Sequence, residues 1–150
     1  MSALRPRKRH ENYLPPVDHF LAEAYVNAIS GYLDICRAIH TDDDTLVGFT
    51  KIVYVPKNDK TYDFEYDTCM IDCVLIARDY QDQGYGSAAI GLILAYISDE
   101  LDWGHDVVRL ACHENNGDAI RFFEHHGFIQ LDARLKGRQH YRLFELSHQG

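Results

Sequence analysis

Long apolar runs are missing from this chain of 150 residues. No stretch approaches the roughly 18 apolar residues that a membrane-crossing helix needs, and the N-terminus has no apolar leader-type segment. Cysteine is sparse. Cys36, Cys69, Cys73 and Cys112 fall at no paired metal-binding spacing and in no secretory context, so they read as reduced, mostly buried thiols rather than a disulfide framework or a zinc site. Repeats, low-complexity segments and internal linkers are absent too. With 46% of its residues hydrophobic, the chain is expected to be a soluble cytoplasmic protein with a substantial core.

Positive charge is scarce in the body of the chain and concentrated at its start. Arg5, Arg7, Lys8 and Arg9 lie within the first ten residues with no acid among them; without them, 11 basic residues face 23 acidic ones. A nucleic-acid groove on such a body would repel phosphate, which excludes DNA or RNA as the expected partner. A cationic small molecule suits it better. Residues 1–11 read as a flexible basic tail and 12–150 as one domain.

What is present alternates between strand and helix patterns. After "NYLPP", Phe20, Leu21, Ala24, Tyr25 and Ala28 follow helical spacing, with Asp18 as N-cap. "YLDICRAIH" and "LVGFTKIVYV" read as a hairpin around the acidic "TDDDT" turn, and a polar loop runs from Pro56 to about Tyr66. A strand from Cys69 to Ala77 leads through "YQDQGYGSAA" into a helix from Ser87 to Trp103, where Ile90, Ile93, Leu94 and Ile97 form a buried stripe. "VVRLAC" is a strand, "NNGDAIRFFEHHGF" a helix stopped by Gly127, and the last segment two strands about a turn at Lys136-Gly137. The expected class is α/β (α+β), with the order β-β-β-α-β-α-β-β after the first helix.

A glycine turn between a strand and a helix exposes unpaired N–H groups and the positive end of a helix dipole, which favours an anion. Gln81, Gly84 and Gly86 give Q-x-x-G-x-G, with Ser87 and Ala88 opening the helix. The missing Gly-Lys-Ser/Thr argues against a triphosphate loop. A turn that merely closes a strand–helix connection has the same spacing. The second segment, "VRLACHENNGDAIRFFEHHGF", adds a strand, an Asn pair, Ala119, an aromatic pair and His-Gly-Phe. Together the two segments resemble the GNAT superfamily of acetyl-CoA-dependent N-acetyltransferases, over about residues 12 to 147. "ENYLPPVDHFLAEAYVNA", "LVGFTKIVY" and "MIDCVLIARDYQDQGYG" are similar to the diamine, spermidine and spermine branch.

The resemblance implies a mixed, mostly antiparallel sheet with flanking helices and a strand splayed at the acyl-CoA site. It implies acetyl-CoA as cofactor, a primary amine as acceptor with polyamines among the candidates, direct attack in a ternary complex, and a homodimer. Carried over, Val74, Leu75 and Ile76 line the pantetheine arm, with backbone groups from Leu75 and Ile76. Gln81, Asp82, Gln83, Gly84, Tyr85, Gly86 and Ser87 hold the pyrophosphate. Asn115 faces the cofactor, with Asn116 either its rival for that role or a helix cap; Phe122 lines the channel or is plain core.

Three departures stand out. Asp82 and Gln83 occupy loop positions where the family has glycine or a cation, which implies weaker cofactor binding. Phe123 stands where the family has a tyrosine that protonates the leaving thiolate, and Tyr141 is the substitute, against an ordinary strand aromatic. The family's first strand is expected to be missing, which implies an exposed sheet edge unless a neighbouring chain or the N-terminal tail covers it.

For the acceptor, Asp72 is the base or amine anchor, placed by alternation on the side of Val74 and Ile76. Glu23 is a further amine contact. Eight acids against three lysines in residues 41 to 72 suit a polycation. Cys73 as an acyl nucleophile is a rival, and His113, His125 and His126 are not expected to hold a metal. The competing class is a non-catalytic acyl-CoA-binding or assembly module.

Overall fold

The computed structural model describes residues 34–101, 107–132 and 135–147. The expected first helix with Glu23, the basic tail and Trp103 lie outside the described residues. The elements run β1 (Asp34–His40), β2 (Leu46–Val55), β3 (Thr68–Ile76), a 3-10 turn (Arg78–Tyr80), α1 (Tyr85–Glu100), β4 (Val107–His113), α2 (Gly117–His125), β5 (Ile129–Gln130) and β6 (Tyr141–Ser147). This is the order read from the sequence.

The six strands form one sheet, β1-β2-β3-β4-β6-β5. Every pairing is antiparallel except β3 with β4. That parallel pair holds only at Cys69–Val108 and Met70–Arg109. Beyond Met70, β3 continues to Ile76 beside β2 while β4 continues to His113 beside β6. The two strands therefore splay apart, as the fold class requires.

Side-chain alternation divides the sheet into two faces. One is covered by α1 and α2: Ala89, Ile90, Ile93 and Ile97 recur at helical spacing and pack with Ile52, Ile71, Leu110 and Phe144. Each such isoleucine, sealed from water, contributes about 1.5–3 kcal/mol. The other face is covered by the loop of residues 56–67, where Phe64 packs with Val55, Met70, Leu135 and Leu143. Arg109 pins that loop. Its guanidinium pairs with Glu65 and Glu145 at 2.8 Å each and lies 4.6 Å from the Phe64 ring centroid. The hydrogen bond from Arg109 is the main reason the Glu65 carboxyl is held below its ordinary range.

β2 and β3 approach unusually closely at one point. A methyl group on Gly48 would sit 2.3 Å from the Leu75 carbonyl oxygen, so only glycine fits there. Between Lys51 and Ile52 the register shifts: Lys51 faces Cys73 and Ile52 faces Ile71, leaving Asp72 as an extra residue. This β-bulge reverses the alternation along β3.

Candidate functional site

The glycine turn lies at the end of β3, on the splayed side. Gly84 is the N-cap of α1 at φ +84°, a left-handed conformation in which a Cβ is strained. Among the described residues no side-chain hydrogen bond caps this helix. The first intrahelical bond is from Ala88 N–H to the Gly84 carbonyl, 3.1 Å, so the N–H groups of Tyr85, Gly86 and Ser87 point out of the helix end as donors. The helix starts at Tyr85, not Ser87, which brings all three into its first turn. Gln81 is directed elsewhere: its Nε2 donates to the Ile76 carbonyl at 2.8 Å and braces the turn from inside. Gln83 Nε2 donates to the Asp79 carbonyl at 3.3 Å. Asp82 is exposed and adopts φ 62°.

The two cofactor segments meet. A Cβ on Gly86 would lie 3.5 Å from the Phe122 ring and 3.9 Å from Ile76, so the head of α1 sits between Phe122 of α2 and the end of β3. His126 is placed here too. Its Nε2 lies 3.1 Å from Ser87 Oγ and its ring packs on Phe122. Burial, and then His125, lower its pKa, which favours the neutral ring. Asn116 Oδ1 accepts from Ala119 N–H and caps α2, while Asn115 is exposed. Phe123 packs edge-on against Phe128 in the core, 5.6 Å between ring centroids.

Along β3, the bond from Ala77 N–H to the Val47 carbonyl, 2.8 Å, sets the phase of the antiparallel ladder. Leu75 turns its main-chain groups toward β2; Val74 and the Ile76 N–H turn theirs toward the splay. The expectation for a Leu75 backbone contact is corrected accordingly. A linear, amide-bearing arm fits this strip of backbone, which faces no strand among the described residues beyond Met70, and a diphosphate fits the donors at Tyr85, Gly86 and Ser87. These residues suit a coenzyme A thioester.

Asp72 is the second correction. Alternation alone sets it beside Val74 and Ile76, but the bulge turns it to the loop-covered face. There its carboxylate lies 3.4 Å from Lys51 Nζ, and the same ammonium lies 3.4 Å from Asp34. Lys51 is fully buried, Asp34 is 4% exposed and Asp72 26% exposed, so Asp72 is the member open to a ligand. Nearby, Arg138 Nη1 donates to Tyr62 Oη at 2.8 Å and stacks 4.2 Å from the Tyr141 ring centroid. Burial raises the Tyr62 pKa, against the lowering effect of Arg138, and the Asp72 charge also acts on it. Tyr141 opposes His113, the last residue of β4. Asp72 on β3 and Tyr141 on β6, the strand beyond β4, thus lie on the same loop-covered face. Sequence reading missed Lys51, Tyr62 and Arg138.

Two expectations weaken. Cys73 is buried and its thiol is pushed up to about 12 by desolvation, with Asp72 adding to the rise; a thiol of that kind is no nucleophile at neutral pH. The acidic run is largely engaged in shaping loops. Asp43 accepts from Thr41 and Thr45 hydroxyls, Asp59 from the Thr61 and Tyr62 N–H groups, Asp67 from Lys57 N–H, and Glu65 from Arg109.

The model of the acetyltransferase (GNAT) family matches residues 7–128 of the chain. The chain belongs to this family. No curated protein sequence matches this GNAT chain significantly. Its fold is similar to that of an acetyltransferase from Thermus thermophilus, with TM-score 0.64 at 16% identity, covering 89% of this chain and 76% of the other. It is similar also to the PaiA N-acetyltransferase of Thermoplasma acidophilum solved with coenzyme A, with TM-score 0.62 at 14% identity over 87% and 71% of the two chains. A spermidine N-acetyltransferase from Vibrio cholerae, solved with CoA and spermine, gives TM-score 0.62 at 16% identity over 85% and 73%. At these identities the likeness is one of fold.

Proposed function

We propose that this GNAT chain transfers the acetyl group of acetyl-CoA to a primary amine of a small molecule, by direct attack within a ternary complex. The observation that carries the reading is the opening between β3 and β4 beyond Met70–Arg109, with the uncapped end of α1 at its rim. Acetyl-CoA supplies the thioester carbonyl. The protein holds its diphosphate on the Tyr85, Gly86 and Ser87 N–H groups and its arm along Val74 and Ile76. An amine of ordinary pKa near 10.4 gives up a proton before attack, a cost of about 4–5 kcal/mol at neutral pH. Asp72, the partly exposed acid beside Lys51, holds that ammonium and passes its proton to solvent. Tyr141, on the strand beyond β4, is the proton donor to the departing thiolate in this reading, in place of a hydroxyl at Phe123. The spermidine N-acetyltransferase among the similar folds supports an amine as acceptor, and polyamines belong to the acceptor set to be tested.

Phe123 favours a second reading. Its ring is committed to the core beside Phe128, and a chain without the family tyrosine also fits an acyl-CoA-binding module without turnover. Incubation with acetyl-CoA and a panel of amines, following thiol release, separates the two. Turnover with any amine removes the second reading; tight coenzyme A binding by calorimetry with no turnover removes the first.

A further inference from the structure

The sheet's loop-covered face carries two arginines in different electrostatic situations. Arg109 is neutralised by Glu65 and Glu145. Arg138 is also partly buried, yet among the described residues no carboxylate lies in ion-pair range of it; its side-chain partners are the phenols of Tyr62 and Tyr141. Burial works against its charge, while Tyr62, Tyr141 and the more distant Asp72 favour it, and the balance keeps it firmly cationic. The Asp72 carboxylate lies 3.4 Å from Lys51 and acts on Arg138 only from beyond ion-pair range. A guanidinium held by neutral phenols retains N–H donors in a planar fork suited to a carboxylate.

Asp72 and Arg138 therefore present opposite charges on the loop-covered face, within electrostatic reach of each other, and Tyr62, Tyr141, Asp72 and Arg138 are all partly exposed. A plain polyamine brings only positive charge and meets Arg138 as repulsion. From this arrangement we infer that the acceptor is a zwitterionic amine of the amino-acid type, with its amine on Asp72 and its carboxylate on Arg138. This rests on the acetyl-transfer reading and narrows its substrate class.

The test compares acceptors that differ only by the carboxylate: lysine against cadaverine, and ornithine against putrescine, with acetyl-CoA and thiol release as readout. The carboxylate-bearing member is expected to have kcat/KM about 10- to 100-fold higher, the range of one charge-assisted contact. Arg138→Gln is expected to erase that preference through KM of the carboxylate-bearing acceptor, and Arg138→Lys to restore part of it. Tyr62→Phe, which removes only the hydroxyl that orients Nη1, serves as the second variant should Arg138→Gln not fold, and is expected to reduce the preference in part. Equal or better turnover of the diamines by the wild-type protein overturns the inference. If no acceptor turns over, the acetyl-transfer reading fails, and calorimetry on the coenzyme A complex decides the inference separately. Lysine or ornithine bound more tightly than its diamine, and lost in Arg138→Gln, supports it; no binding, or no preference, overturns it.

Discussion

Replacing Lys51 by methionine is the sharpest test of how the site is built. The change keeps an unbranched chain of similar length and removes only the ammonium. Lys51 has no exposed surface, and its Nζ lies 3.4 Å from both Asp34, 4% exposed, and Asp72, 26% exposed. Removing the cation leaves two carboxylates facing each other in a low-dielectric layer, and one orphaned buried charge costs about 3–5 kcal/mol. Against a total stability of roughly 5–15 kcal/mol, that is a large fraction. Equilibrium unfolding in urea should show a lower midpoint with unchanged slope. Adding Asp34→Asn should recover a measurable share, because the repulsion and one desolvated charge go together. The variant should also shift the acid limb of the rate profile upward, since Asp72 without its cation holds a proton to higher pH. A loss below about 1 kcal/mol, or no recovery in the double variant, would refute the picture of a buried cation balancing two acids.

Asp72→Asn is expected to slow acetyl transfer at neutral pH with partial recovery at high pH, where the amine deprotonates in solution; an unchanged pH–rate profile takes Asp72 out of the mechanism. Gly84→Ala, at φ +84°, should cost about 1–2 kcal/mol in unfolding experiments and weaken coenzyme A binding by calorimetry; unaltered affinity argues against the turn as the phosphate site. Cys69, Cys73 and Cys112 have thiols raised by burial from 9.0 to about 12. Above pH 9 the unfolded chain releases these protons first, so their stabilising contribution is complete below pH 9 and lost as pH rises toward about 12, at up to about 1.4 kcal/mol per thiol per pH unit. Unfolding midpoints that hold steady from pH 8.5 to 10.5 would contradict that burial.

Most strands and both described helices were legible because their buried residues recur at the spacing each element demands, as in Ile90, Ile93 and Ile97 of α1. The glycine turn was legible because an uncapped helix start after a strand needs such a sequence. Asp72 was placed on the wrong face because alternation assumes one residue per register step, and the bulge inserts one more. Lys51 went unnoticed since a lysine within a strand reads as solvent-facing. Its partners, Asp34 and Asp72, belong to the two strands that flank β2 and are far from it in the chain. Tyr62 and Arg138 sit in loops, and their convergence depends on how residues 56–67 fold back over the sheet, which no short-range spacing encodes.

Because β3 and β4 join through only two residue pairs, the sheet is two leaves bound along a short seam. A molecule lying along the gap bonds to the inner margin of one leaf and presses against the other. Its arrival would stiffen the hinge, slowing deuterium uptake well away from the points it touches. Ligand affinity and the cohesion of the leaves are then linked, and each substitution along the seam will register in both.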